Sequence, residues 1–91
     1  MINNLIKIGR SYSDKFTREY NLGVEHGIDI KFEKDYLAWL SKIGKFVENT
    51  LTKKFPNISS QILEMVNRKS IYSIDYSIIM SYLERAKQFG Y

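Results

Sequence analysis

The amino-acid sequence predicts an all-α fold: a small four-helix domain, orthogonal or bundle-like, with one extended strap at about residues 24–33. Three observations predict it. Apolar residues recur at helical spacing in successive stretches of the chain, and Gly23, Pro56 and Gly90 punctuate those stretches. The third observation is the central stretch, Asp35 to Phe55. There Tyr36, Leu37, Leu40, Ile43, Val47 and Leu51 form one apolar stripe, and Trp39 and Phe46 widen it on a shoulder. An arc covering roughly half the circumference is more than one neighbour can bury, so this helix belongs in the middle of the domain.

The first helix is expected from about Asn3 or Asn4 to Tyr20, with Leu5, Ile8, Tyr12 and Phe16 on one face and Ile6 and Gly9 beside them. Asp14 and Arg18 stand at a favourable i,i+4 spacing. Gly9 lies in the apolar stripe at a cost of about 1 kcal/mol in helix propensity, which suggests close packing against another helix, with Gly44 the natural partner. Gly23 then ends the helix in a left-handed conformation. Beyond Gly27, Ile28, Ile30 and Phe32 alternate with Asp29, Lys31 and Glu33, a period of two. With no second strand in sight this segment is expected to strap across the helices and drop alternate side chains into the core. The other reading is a free edge for a partner's strand.

Asp35 opens the central helix as its cap and Pro56 stops it. Asn57 to Ser60 supply caps for a short third helix with the stripe Ile62, Leu63, Met65 and Val66. Ser73 or Asp75 opens the last, in which Tyr76, Ile79, Leu83 and Ala86 line one face and Ile78 and Tyr82 widen it. No repeat or low-complexity segment divides the chain, and residues 1–91 are expected to make a single domain.

Composition narrows the function classes. Hydrophobic residues at 44% and charged residues at 26% describe a globular chain, and no run approaches a membrane span. The N-terminus lacks the apolar core of a signal peptide and cysteine is absent, so a cytoplasmic protein without disulfides or thiolate metal sites is expected. His26 is the one histidine; paired with Glu25 it has no further ligand to complete a metal shell. Asp29, Glu33 and Asp35 lack the glycine and distal glutamate of a calcium loop. No phosphate-binding glycine loop or nucleophile elbow occurs, and Ser59, Ser60 and Ser73 read as helix caps. The expectation is therefore no enzyme, no cofactor and no metal.

What remains is recognition. The surplus apolar surface of the central helix makes Trp39 and Phe46 candidates for an exposed contact patch, and Ile28, Ile30, Phe32 and Tyr72 could extend it toward a protein partner or a second copy. The competing reading places Trp39 and Phe46 in the core. The net charge of +4 raises a second class, a small nucleic-acid-binding regulator using Lys42, Lys45, Lys53, Lys54, Arg68 and Lys69. Against it, charges alternate in sign and the longest basic runs are pairs.

A whole-chain pattern adds a resemblance. Leu5-Ile6 through Gly9 opens the first helix, Tyr36-Leu37-x-Trp39 the second, Phe46-Val47 precedes a Phe55-Pro56-Asn57-x-Ser59 break, and Leu83-x-x-Ala86 closes the chain. This order resembles the small helical N-terminal module of bacterial anti-phage defence proteins that carry TIR-like or nucleotide-binding effector domains. The resemblance implies self-association or partner binding and supplies no catalytic residue. Since these 91 residues include no effector domain, it implies a stand-alone adaptor, or a mobile-element protein engaging such machinery, in phage defence or counter-defence.

Overall fold

In the computed structural model, which describes all of Met1–Tyr91, the chain is largely helical with four helices and one small antiparallel sheet. The helices are α1 (Ile2–Arg10), α2 (Glu33–Phe46), α3 (Pro56–Asn67) and α4 (Ser73–Gln88). Between α1 and α2 lies a hairpin of β1 (Arg18–Tyr20) and β2 (Glu25–Gly27).

The hairpin corrects the all-α expectation. Helix α1 stops at Arg10, ten residues short of Tyr20, where the backbone tightens into i→i−3 turns, with the N–H groups of Ser11, Tyr12 and Ser13 bonded to the carbonyls of Ile8, Gly9 and Arg10; the Ser11 hydroxyl also donates to the Ile8 carbonyl at 2.5 Å. Arg18 then pairs with Gly27, Glu19 with His26 and Tyr20 with Glu25. Asn21, Leu22 and Gly23 all hold positive φ, at 50°, 56° and 87°, so Gly23 serves a hairpin turn and not a helix end. The missing second strand was thus hidden inside what reads as the tail of the first helix. Arg18 does not pair with Asp14. Its guanidinium donates to the Ile28 carbonyl at 2.7 Å and to Glu33 at 2.6 Å, locking the hairpin to the start of α2.

The strap is real only in part. Gly27 bridges to Tyr72, and the Ile28 N–H donates to the Ile71 carbonyl at 2.9 Å, so the segment is tied to the start of α4. After that the period of two fails. Asp29 accepts from the Lys31 N–H and the Thr17 hydroxyl and so caps a 3-10 turn over Ile30–Phe32. Both bonds hold the Asp29 carboxyl below the usual carboxylate range. Ile28 is fully buried, Phe32 half-buried, and Ile30 points out with 71% of its surface exposed.

Helix α2 occupies the central place that its wide apolar arc requires. It packs against α1 on one side and α3 on the other, and its aromatic residues reach α4. Tyr36, Trp39, Leu40, Ile43 and Phe46 are all buried. The helix loosens at Val47–Leu51 into a π turn, where Val47 and Leu51 remain buried, and the Thr52 N–H and hydroxyl both bond to the Val47 carbonyl. Asp35 sits exposed in the first turn, where it suits the helix dipole without capping it.

The glycines do not meet. A Cβ on Gly9 would collide with Met80 and with the Trp39 ring, whereas one on Gly44 would face Val66. Gly9 therefore accommodates α4 and an indole, and Gly44 accommodates α3. Nor are the serines caps: α3 begins with Pro56 in its first turn, and Ser59 is buried, hydrogen-bonded to the Tyr82 hydroxyl at 2.9 Å. Ser73 begins α4 without a capping bond.

One continuous core joins all four helices. At its centre Tyr12, Phe16, Tyr36, Trp39 and Tyr76 form an aromatic cluster with ring centroids 4.8–6.3 Å apart. The Trp39 indole donates to the Leu5 carbonyl at 2.9 Å and the Tyr76 hydroxyl to that of Gly9 at 2.6 Å, so both rings staple α1 in place. Tyr36 is the exception, because its buried hydroxyl has no hydrogen-bond partner. Burial, with Tyr76, Asp75 and Tyr12 adding to it, pushes that phenol far above its ordinary value. Tyr36→Phe is expected to stabilise the fold by about 1 kcal/mol at neutral pH, since an unsatisfied buried hydroxyl costs on that order. The gain should widen with alkali. Above pH ~10 the unfolded state releases the Tyr36 proton while the folded state keeps it, so wild type loses up to about 1.4 kcal/mol per pH unit that the phenylalanine variant does not. Urea denaturation of both proteins at neutral pH and near pH ~11 checks the sign and the slope.

Candidate functional site

An apolar cleft opens on the surface between α3 and α4. It arises because α4 has two apolar faces. Tyr76, Ile79, Leu83 and Ala86 point into the core. Ile74, Ile78, Ser81, Arg85 and Phe89 fall within about 80° of one another at helical spacing, on a side turned well away from the first. Ile74, Ile78 and Phe89 are 65%, 37% and 58% exposed. Facing them at the start of α3 are Phe55 and Ile58, half-buried, and the cleft between the two elements measures about 610 Å³. Ser77 and Ser81 present small side chains to it.

One end of the cleft is an aromatic corner. The Phe55 ring lies 5.7 Å from Phe89, 5.9 Å from Tyr82 and 6.2 Å from Tyr91. Lys54 places its ammonium 5.8 Å from the Phe89 ring centre and 5.7 Å from that of Tyr91. Arg85 lines the same opening, and neither cation takes part in any ion pair of the chain. No acidic side chain lines the cleft. Burial raises the Tyr82 phenol, against the pull of its bond to Ser59. The chemistry on offer is apolar contact, hydroxyl hydrogen bonding and unpaired positive charge.

The sequence-derived contact residues lie elsewhere. Trp39 and Phe46 are 2% and 6% exposed within one chain, and Ile28 is fully buried, so the core reading holds for Trp39 and Phe46 and none of the three is free to meet a partner. Tyr12 and Phe16, beyond the end of α1, cover the start of the central helix from irregular backbone, where Tyr12 meets Tyr36 and Trp39 and Phe16 meets Tyr36. Phe32 is half-buried with the Lys15 ammonium 5.5 Å from its ring, and Tyr72 is half-buried against Tyr20 at 5.4 Å. Ile30 alone of the six is well exposed, and none of the six lines the α3–α4 cleft. The sequence reading of α4 holds for Tyr76, Ile79, Leu83, Ala86 and Tyr82, all buried, and is corrected at Ile78, which does not widen that stripe but stands with Ile74 and Phe89 on the outer face.

The cations read as candidates for nucleic acid fall in three places, with Lys42 and Lys45 one turn apart on α2. Lys53 and Lys54 precede α3 while Arg68 and Lys69 follow it, separated by ~17 Å of helix. Arg68 is engaged by Glu64 at 3.8 Å and Asp75 at 3.5 Å. Lys42 borders a shallow cleft between α1 and α2 beside Asp35, and Lys69 one between α2 and α3. His26 is half-buried in β2 opposite Glu19, and no group of three or more histidine or acidic side chains converges as a metal site. No helix is long and apolar enough to cross a membrane.

No protein-family model matches the chain, and no curated protein or solved structure matches it significantly.

Proposed function

We propose that this chain is a non-enzymatic protein-interaction module whose contact surface is the α3–α4 cleft. One observation carries the reading: the second apolar face of α4, with Ile74, Ile78 and Phe89 standing in solvent beside an open groove. Isolated exposed apolar residues are ordinary, but a stripe of them along one helix, walled by Phe55 and Ile58, is the form taken by sites that accept an amphipathic helix. The small hydroxyls of Ser77 and Ser81 leave room for the ridge of such a helix to settle. The resemblance noted in the sequence supplies the setting, prokaryotic phage defence or counter-defence, and assigns no residue.

The reading is tested with a synthetic amphipathic helix whose polar face is uncharged, titrated into isotopically labelled protein. Amide shifts are expected at residues 55–58 and 74–89, with dissociation constants of roughly ten to several hundred micromolar for so generic a ligand. Ile78→Asp together with Phe89→Asp should abolish the shifts while circular dichroism still reports the helices, as neither residue belongs to the buried core. Shifts scattered over the surface, or none, would end the proposal.

A further inference from the structure

We infer that the occupant of the cleft is an acidic amphipathic helix from another protein, chosen over a second copy of this chain by the unpaired cations at one end of the groove. This rests on the cleft being an interaction site, as proposed above. The apolar stripe from Ile74 to Phe89 runs ~22 Å, which matches about four turns of a docked helix. Along that length the charge has one sign. Arg85 lines the groove, Lys54 stands over the aromatic corner at the same end, neither has an anionic partner, and no carboxylate lines the walls. Docking here draws the exposed Arg85 partly out of water, and a carboxylate brought by the ligand would offset that cost.

That condition disfavours self-pairing through this face. A twofold contact across this face would set the cationic end of each groove against a copy whose groove has no acidic lining, so Arg85 and Lys54 would stay without an anionic partner. The surface is complementary in shape to a helix and in charge to an acidic one. It is not complementary to itself. The carboxylates of the partner belong at the end of its apolar stripe that meets Phe89, with the remainder of the stripe packed on Ile74 and Ile78.

The test uses three peptides with the same leucine stripe and with glutamate, lysine or glutamine on the flanks, measured by fluorescence polarisation. The glutamate peptide should bind about tenfold tighter than the glutamine peptide at low salt, with the margin shrinking as salt rises, and the lysine peptide should bind weakest. Arg85→Glu should abolish the preference for the glutamate peptide over the lysine peptide. Sedimentation equilibrium should find the free protein monomeric. Equal affinity for all three peptides would overturn the acidic partner while leaving the cleft as a binding site. Self-association abolished by Ile78→Asp would overturn it in favour of a second copy. Binding of no peptide by a monomeric protein would remove the underlying reading as well.

Discussion

Trp39→Ala is expected to destabilise the monomer by about 4 kcal/mol, the loss typical of emptying a buried indole site. The side chain is 2% exposed, ringed by Tyr12, Tyr36 and Tyr76, and its Nε1–H donates to the Leu5 carbonyl. Alanine removes the packing on three aromatic rings and the one side-chain tie from α2 to α1. A chain of 91 residues has on the order of 5–14 kcal/mol to lose, so the variant should sit near the edge of folding, with Tm lowered by about 20 °C. Because the tryptophan is itself the fluorophore, the measurement is far-ultraviolet circular dichroism against urea. A loss below about 1 kcal/mol would mean that the indole is a surface group after all.

Gly9→Ala should destabilise by about 1–2 kcal/mol although alanine is the better helix former. The new methyl would lie 2.7 Å from Trp39 Cζ2 and in direct collision with Met80. Methionine can bend away. The indole cannot, since its hydrogen bond to Leu5 and its aromatic neighbours hold the ring in plane and position. Helix propensity offers about 1 kcal/mol in return, and overpacking of a rigid ring costs more. Gly44→Ala is the informative comparison. There the nearest atom is Val66 Cγ1 at 3.0 Å on a half-buried side chain with room to shift, so the propensity gain should roughly cancel the crowding. Equilibrium denaturation of both variants separates the two: equal effects would mean that Gly9 is no tighter a contact than Gly44.

These two results bear on how far the chain could be read. The central helix, its neighbours α3 and α4 and the stops near Pro56 and Gly90 are legible because each carries its own apolar period and its own punctuation. The hairpin was not. Tyr12, Phe16 and Tyr20 keep a four-residue spacing that fits a helix wheel, yet only Tyr12 and Phe16 enter the aromatic core, and they do so from irregular backbone. The three-residue strands are too short to show alternation against that background. Leu22 compounds the difficulty, since a leucine at φ 56° is not a turn signal that sequence rules anticipate.

The site divides in the same way. That α4 is apolar on two sides can be read from Ile74, Ile78 and Phe89 set against Tyr76, Ile79 and Leu83. Which side is buried depends on where α1 and β2 lie, because both pack on the inner face and leave the outer one to solvent. The burial of Trp39 likewise depends on residues far away in the chain, Leu5 and Tyr12 on one side and Tyr76 on the other.

By itself, then, the sequence determined the number of helices, the central position of the stretch 35–55 and the absence of any familiar catalytic pattern, all properties that depend on local periodicity and residue type. Only the tertiary structure decided the hairpin, the partners of the two helical glycines and the identity of the exposed apolar face. The physical reason is that an amphipathic period marks how much surface seeks cover, while what covers it is set by contacts between residues far apart in the chain.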